Sequence, residues 1–285
     1  MIRTVGFIGL GDIGEPMARN LCGGDFEVVV FDLRTEAVEL LVESGAKAAS
    51  SCREVGERCE VVCVCVLDDA STQAVVAGED GVLAGARADT IIAIHSTVNP
   101  ATVKQLAELA SDKGVHVADA QMTGGRAGTE AKQLRYMVGG DDAILDRLTP
   151  VLETSASEIT RCGGIGMGAV AKLCNNLVQF VAWQGYVEAD GLAAEAGLSR
   201  EVFNEVLSWM MNDNARAMLA GRTALQADPD NAFLKERFTS VMLLAEKDMT
   251  LALQVARENG LSMPVTGLST QQLARMFGVP DPKRR

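Results

Sequence analysis

The sequence predicts an α/β protein in two parts: a doubly wound N-terminal domain over 1–163 and an all-α C-terminal domain over 164–285. Three observations predict it. Short apolar runs alternate with helical stretches as far as Thr160, the pattern of parallel strands joined by crossover helices. A glycine-rich turn lies between the first apolar run and the first helix. From about Gly166 onward strand patterns vanish, which marks a second, helical domain.

Thr4 to Ile8 (TVGFI) reads as a buried strand, and Pro16 to Leu21 as the helix after it. Between them stands Gly9-Leu10-Gly11-Asp12-Ile13-Gly14, a GxGxxG in the strand–turn–helix setting of a Rossmann-type dinucleotide site. The first glycine permits the turn, the second lets a pyrophosphate approach the backbone, and the third allows close helix–strand packing. The helix start then offers free N–H groups to the phosphates. The next strand, Glu27 to Phe31, ends at Asp32, close to the spacing at which an acid takes the adenosine ribose hydroxyls. The alternative role for Asp32 is to cap the helix that starts near Thr35. An aspartate there disfavours the extra phosphate of NADP and points to NAD, while Arg34, two residues on, leaves NADP open.

The alternation continues through Glu60 to Leu67 and Thr90 to Ile94, with Asn99 as N-cap and Pro100 opening the next helix. Ligands of such sheets sit beyond the carboxyl ends of strands, so Leu67, Asp68 and Thr97 are candidate cofactor contacts. His95 reads as a structural histidine rather than a base. Val115 to Ala118 is a further strand, leading into Asp119-Ala120-Gln121-Met122-Thr123-Gly124-Gly125. The hydroxyl of Thr123 followed by Gly124 and Gly125 exposes successive backbone N–H groups, a receptor for a carboxylate if it is not simply a flexible turn. Two more strands, Arg135 to Val138 and Glu158 to Thr160, flank a helix from about Asp141 to Glu153.

The helical half opens with a run from about Gly166 to Gly197 that carries no charge between Lys172 and Glu188. At about 100° per residue Lys172, Asn176 and Gln179 share one stripe of that helix. An ammonium beside a carboxamide on so apolar a helix suits a polar substrate, the alternative being a lysine that snorkels to water. Ser199 caps a helix to about Met211, short segments follow across 215–238, and Asp228-Pro229-Asp230 marks a turn. Val241 to Glu258 is a strong amphipathic helix, and Pro264 starts a last one reaching about Phe277. A ligand is expected in the cleft between the domains.

A formal net charge of −12 argues against nucleic acid or an anionic membrane as partner. Seven cysteines, an odd number, after an N-terminus leading from Met1 straight into a strand, predict free thiols in a reducing, cytoplasmic setting. Cys63 and Cys65 alternate on a strand, and with only His95 and His116 besides, no metal cluster is expected. No run reaches 18 apolar residues, so no membrane span is expected. The tail ending Lys283-Arg284-Arg285 is expected to fray. The long apolar helix and helical second domain predict a homodimer or homotetramer.

Four ordered segments resemble the β-hydroxyacid dehydrogenase family, which includes 3-hydroxyisobutyrate dehydrogenase, tartronate semialdehyde reductase and, more distantly, 6-phosphogluconate dehydrogenase. GFIGLGDIGEPMARNL (Gly6 to Leu21) is similar to its cofactor fingerprint and DAQMTGG (Asp119 to Gly125) to its substrate signature. GIGMGAVAKLCNNL (Gly164 to Leu177) resembles its catalytic signature, and KDMTLAL (Lys247 to Leu253) a second cofactor-side motif. The resemblance implies that Lys172 is the general acid/base, Asn176 holds the substrate oxygen and Thr123, Gly124 and Gly125 take the carboxylate of a small substrate. It places Lys247 and Thr97 near the cofactor, and implies hydride exchange between NAD(P) and a small 3-hydroxy acid or its semialdehyde. Gln121, Met122 and Thr123 stand where the family usually has proline, valine and serine, and Lys132-Gln133 where it has Gly-Thr. Asn175 stands where the 6-phosphogluconate enzyme has histidine. Two other readings remain: an imine reductase-like enzyme, against which Lys172 counts, and a non-catalytic dinucleotide-binding module.

Overall fold

A computed structural model describes residues 2–281, so the basic end Lys283-Arg284-Arg285 lies outside the described residues. The chain divides into two compact units, Met1–Lys172 and Leu173–Arg285.

The first unit runs β1 (Thr4–Ile8), α1 (Gly14–Cys22), β2 (Glu27–Phe31), α2 (Thr35–Glu43), β3 (Lys47–Ala48), α3 (Cys52–Arg58) and β4 (Val61–Val64). It continues through α4 (Asp69–Ala77), α5 (Val82–Gly85), β5 (Ile91–Ile94), α6 (Pro100–Ser111), β6 (His116–Thr123) and α7 (Gly125–Glu130). The last elements are β7 (Leu134–Gly139), α8 (Asp142–Leu152), β8 (Ala156–Gly163) and the start of α9 (Met167–Glu195). One sheet carries the order β3-β2-β1-β4-β5-β6-β7-β8. Neighbours are parallel except β6 and β7, which run antiparallel with Thr123 opposite Arg135. The order reverses between β1 and β4, which creates a crevice at their carboxyl ends.

Central strands β4 (VVCV) and β5 (IIAI) are buried at every residue, which is why they read as unbroken apolar runs. Val5, Phe7 and Tyr136 pack on one face with Leu41 and Leu148, while Ile8, Val29 and Ile94 pack on the other with Val55 and Leu106. The expected cap of α6 is present: the Asn99 side chain accepts from Ala101 N at 2.9 Å, ahead of Pro100. β6 does not stop near Ala118 but runs on through Thr123, because pairing with β7 holds 119–123 extended. A two-residue edge strand, β3, was not legible at all.

The second unit takes up most of α9, then α10 (Arg200–Leu207), α11 (Asp213–Ala227), α12 (Ala232–Glu258), α13 (Pro264–Gln271) and α14 (Leu273–Phe277). Its core gathers Phe180, Trp183, Met218, Phe238, Met249 and Phe277, with Trp183 edge-on to Phe277 at 6.1 Å. Ser199 caps α10 as expected, accepting from Val202 N. Where short segments were expected across 215–238, two regular helices flank the turn at 228–230. The reason is a second cap: the Asn231 side chain accepts from Leu234 N at 3.0 Å and starts α12 nine residues before Val241. Among the described residues all seven cysteines are free thiols, no helix is long and apolar enough to cross a membrane, and no acidic, histidine or cysteine cluster could hold a metal.

Candidate active site

The glycine turn sits at the carboxyl end of β1. Gly9 holds φ at +93°, and its N–H donates to Phe31 O on β2 at 3.1 Å. A Cβ on Gly14 would fall 1.9 Å from Gly9 O, so only glycine lets α1 start this close to the strand. Above Gly11 there is open space, and Ile13 gives α1 no side-chain cap. Backbone N–H groups at this helix start therefore stay available to an anion, and the turn of Gly9, Gly11, Asp12, Ile13 and Gly14 fits a pyrophosphate.

Asp32 follows β2 beside this turn. Its Oδ2 accepts from Leu10 N at 2.6 Å, and its Oδ1 accepts from Arg34 N at 2.8 Å and Arg34 Nε at 3.2 Å. Asp32 does not cap α2: the cap position belongs to Arg34, which makes no side-chain cap. Burial pushes the Asp32 carboxyl up, but the two backbone N–H groups and the guanidinium outweigh it and hold the carboxyl below its usual range. Arg34 donates from Nη2 to Leu10 O at 2.7 Å, which commits its fork to the turn and to Asp32.

Leu67 and Asp68 follow β4 at the same sheet rim. Leu67 is exposed, whereas the Asp68 side chain caps α4 by accepting from Ser71 N at 2.8 Å. Thr97 follows β5 in a turn whose Ser96 Oγ accepts from Val66 N at 2.8 Å and so ties the β4 and β5 rims together. His95 is buried, its Nδ1 2.8 Å from Ala120 O and its ring stacked on Phe7. A carbonyl can only accept, so Nδ1 carries the proton, and burial pulls the imidazole pKa down to about 4. It is a neutral core histidine.

Thr123 ends β6, and the next two residues hold φ values of +131° (Gly124) and +63° (Gly125). Their N–H groups open into α7 without a side-chain cap. Arg126 then reaches back to the cofactor turn. It donates to Glu15 Oε2 at 2.8 Å, to Asp12 O at 3.3 Å and to Glu130 Oε1 at 2.8 Å. Burial raises the Glu15 carboxyl, but hydrogen bonds and charge from Arg19 and Arg126 reverse this and hold it below its usual range. The sequence does not announce the role of Arg126, because its partners in the cofactor turn, Asp12 and Glu15, lie more than a hundred residues away.

Behind this loop, Asp119 on β6 is fully buried. Its Oδ1 accepts from Gly166 N and its Oδ2 from Ala169 N, both at 2.8 Å, so its carboxylate caps the start of α9. Cβ atoms on Gly139 or Gly168 would meet those oxygens at 2.6 and 2.8 Å, so both glycines make room for the acid. Desolvation pushes the Asp119 pKa up against the pull of these N–H donors. One turn into α9, Lys172 Nζ donates to Met122 O at 2.7 Å, one residue before Thr123. The start of α9 is thereby fastened to β6, and the first compact unit runs through Lys172. Gln121 turns away from the loop: it is buried and donates to Ile94 O at 3.3 Å and Ser96 O at 3.1 Å.

In the second unit Asn176 is buried on α9. It donates from Nδ2 to Asp248 Oδ2 at 2.6 Å, while its Oδ1 accepts from Asn175 Nδ2 at 3.0 Å. Lys247 Nζ lies 3.0 Å from Asp248 Oδ1 and lines a surface cavity of about 280 Å³ with Leu243, Glu246, Thr250 and Leu251. Asp248 is the residue that orients Asn176. The signal for it was present: on α12 it falls on the buried stripe of Ala245, Met249 and Ala252.

Comparison with known proteins meets these motifs. A family model described as the NAD binding domain of 6-phosphogluconate dehydrogenase matches residues 4–164. A second, described as NAD-binding of NADP-dependent 3-hydroxyisobutyrate dehydrogenase, matches residues 166–279. The chain is 36% identical to 3-hydroxyisobutyrate dehydrogenase of Pseudomonas aeruginosa, over 74% of this chain and 73% of the relative. It is 31% identical to 2-(hydroxymethyl)glutarate dehydrogenase of Eubacterium barkeri, over 94% and 87%. A solved Mycobacterium tuberculosis 3-hydroxyisobutyrate dehydrogenase with L-serine superposes with a TM-score of 0.83 at 29% identity, covering 98% of this chain and 94% of the other. Glycine turn, helical second unit and relatives agree: the chain belongs to the β-hydroxyacid dehydrogenase family and is an NAD(P)-dependent oxidoreductase acting on CH–OH.

Proposed function

We propose that the chain interconverts a small 3-hydroxy acid and its semialdehyde, with NAD preferred over NADP and Lys172 as general acid/base. The observation that carries this reading is Lys172 Nζ on Met122 O at 2.7 Å, an ammonium placed at the root of the Thr123-Gly124-Gly125 loop. In this role the loop N–H groups and Thr123 hold the substrate carboxylate. Bound NAD(P) supplies the hydride acceptor in oxidation and the donor in reduction. Lys172 takes the hydroxyl proton as alkoxide character develops, and returns it in the reverse direction. Asn176, one helical turn on, fixes the substrate oxygen, with Asp248 fixing the amide in turn. The engaged fork of Arg34 and the ionised Asp32 favour two free ribose hydroxyls over a phosphate, and Leu67, Asp68, Thr97 and Lys247 complete the proposed cofactor side.

NADH formation across a panel of 3-hydroxy acids, including 3-hydroxyisobutyrate and L-serine, with NADP in parallel, tests the reading. Lys172→Ala is expected to lower kcat by about 10²–10⁴ with NAD affinity kept. A variant that retains most of its turnover removes Lys172 from the mechanism. Equal kcat/KM for NAD and NADP removes the Asp32 argument but not the reaction. We propose further that a second copy, or three, covers apolar side chains exposed on the helical unit: Trp209 and Met210 are 81% and 75% exposed, with Phe233 and Leu268 also open.

A further inference from the structure

Three helices of the second unit bring two guanidinium groups to one carboxylate, and a third cation, on a fourth helix, acts on one of them. Asp190, buried on α9, takes Arg200 of α10 through Nη1 at 2.6 Å and Nη2 at 3.4 Å. Arg222 of α11 comes to the same carboxylate only at 3.9 Å, through Nη1. Its side chain is 15% exposed, and its Nε is buried with no acceptor. Among the described residues that 3.9 Å approach is its one polar contact. Arg275 of α14, exposed, adds a third cation whose charge acts on Arg222, as does that of Arg200. Arg222 thus feels two further cations, Arg200 and Arg275, against the single carboxylate of Asp190, a local positive surplus in a chain whose formal net charge is −12.

A guanidinium carries five N–H donors in a planar fork, and burying it without acceptors is costly. The chemistry that resolves both the unused donors and the surplus charge is an anion with two or more oxygens, which the fork engages bidentately. We propose that Arg222 and Arg275, with Arg200 behind them, bind a small oxyanion, a carboxylate or phosphate, at a site separate from the one that turns over substrate. Asp190 stands fourteen residues beyond Asn176 on α9, about 21 Å at the helical rise of 1.5 Å per residue. The bound oxyanion ties α11 and α14 to the Asp190–Arg200 pair, fastening four helices at one point.

Thermal unfolding of the NAD-saturated protein in inorganic phosphate, in citrate and in chloride at matched ionic strength tests this. Saturating NAD keeps the turn of Gly9 to Gly14 filled, and the Arg222 and Arg275 variants separate an anion on the helical unit from one on the Thr123-Gly124-Gly125 loop. The melting midpoint is expected to rise saturably with phosphate or citrate but not with chloride. The half-saturating concentration is expected to rise tenfold or more in Arg222→Met and to rise in Arg275→Gln, a substitution at an exposed position. If Arg222→Met does not fold, Arg222→Lys, which keeps the charge and loses the fork, takes its place with the same expected weakening. A wild-type midpoint equal in all three salts overturns the proposal, and so does the same anion response in wild type and variants.

Discussion

Lys132 holds φ at +57°, in the left-handed region that a side chain enters at a cost of about 1–2 kcal/mol. It stands in the turn between α7 and β7, where Gln133 N donates to Gly128 O at 2.7 Å and fixes the conformation. The glycine that the family resemblance leads one to expect here would have a backbone reason, and the lysine carries strain. Lys132→Gly relieves that strain at the expense of about 0.5–1 kcal/mol of chain entropy, so a small net gain is expected. Its melting midpoint should rise by about 2 °C, and that of Lys132→Val should fall. At this scale the sequence was legible wherever a residue type and a local spacing suffice. Gly9, Gly14, Asp32 and Asn99 were placed by their neighbours in the chain. Asp119, Arg126 and Asp248 were not assigned roles, because each acquires its role from a partner 47 or more residues away.

Among the elements, the join between β6 and α9 matters most for the proposed chemistry. A single buried carboxylate fixes the start of the helix that carries Lys172 to the strand that ends in Thr123. Asp119→Asn replaces one accepting oxygen by an amide that faces an N–H donor, which costs about 1–3 kcal/mol. The midpoint should fall by several degrees, and turnover should fall with it as Lys172 loses its register. An unchanged melting curve would show that the carboxylate charge is not what holds α9. Element type was legible for the longer strands and helices, since apolar runs and the GxGxxG turn fix them locally, whereas the short helices α3, α4, α5 and α7 were not individually assigned. Extents were less so: β6 is extended by its partner β7, and α12 by a cap at Asn231 that nothing apolar announces.

For the whole molecule, stability follows pH through His95. Its folded pKa of about 4 lies below the ordinary 6.5, so the unfolded chain takes the proton first. The contribution is complete above pH 6.5 and is lost as pH falls towards 4, roughly 3 kcal/mol in all. Urea unfolding at pH 4.5 and 7 should show this slope in the wild type and a shallower one in His95→Gln. The exposed apolar side chains of the helical unit give a second global expectation. Light scattering should return two or four times the chain mass, and Trp209→Glu should shift it towards a single copy; a monomeric wild type would end that proposal. What composition could reach at this scale was the class of molecule and its two-part order, whereas how α9 is shared between the units depends on which backbone N–H groups find Asp119.

The one antiparallel pair in the sheet has a result for adaptability. Parallel neighbours need a crossover of a dozen or more residues that dives beneath the sheet, whereas β7 turns straight back from β6 along the same rim. The segment proposed to hold the substrate carboxylate is therefore a bridge anchored at both feet, not part of a long crossover. Swapping Lys132 or Gln133 at the far foot of such a bridge spares the strand register on either side, whereas Arg126 at the near end ties it to the nucleotide turn through Glu15 and Asp12. Departures such as Lys132 and Gln133 sit on that bridge, so under the proposed function the substrate can change there while the glycine turn after β1 keeps its shape.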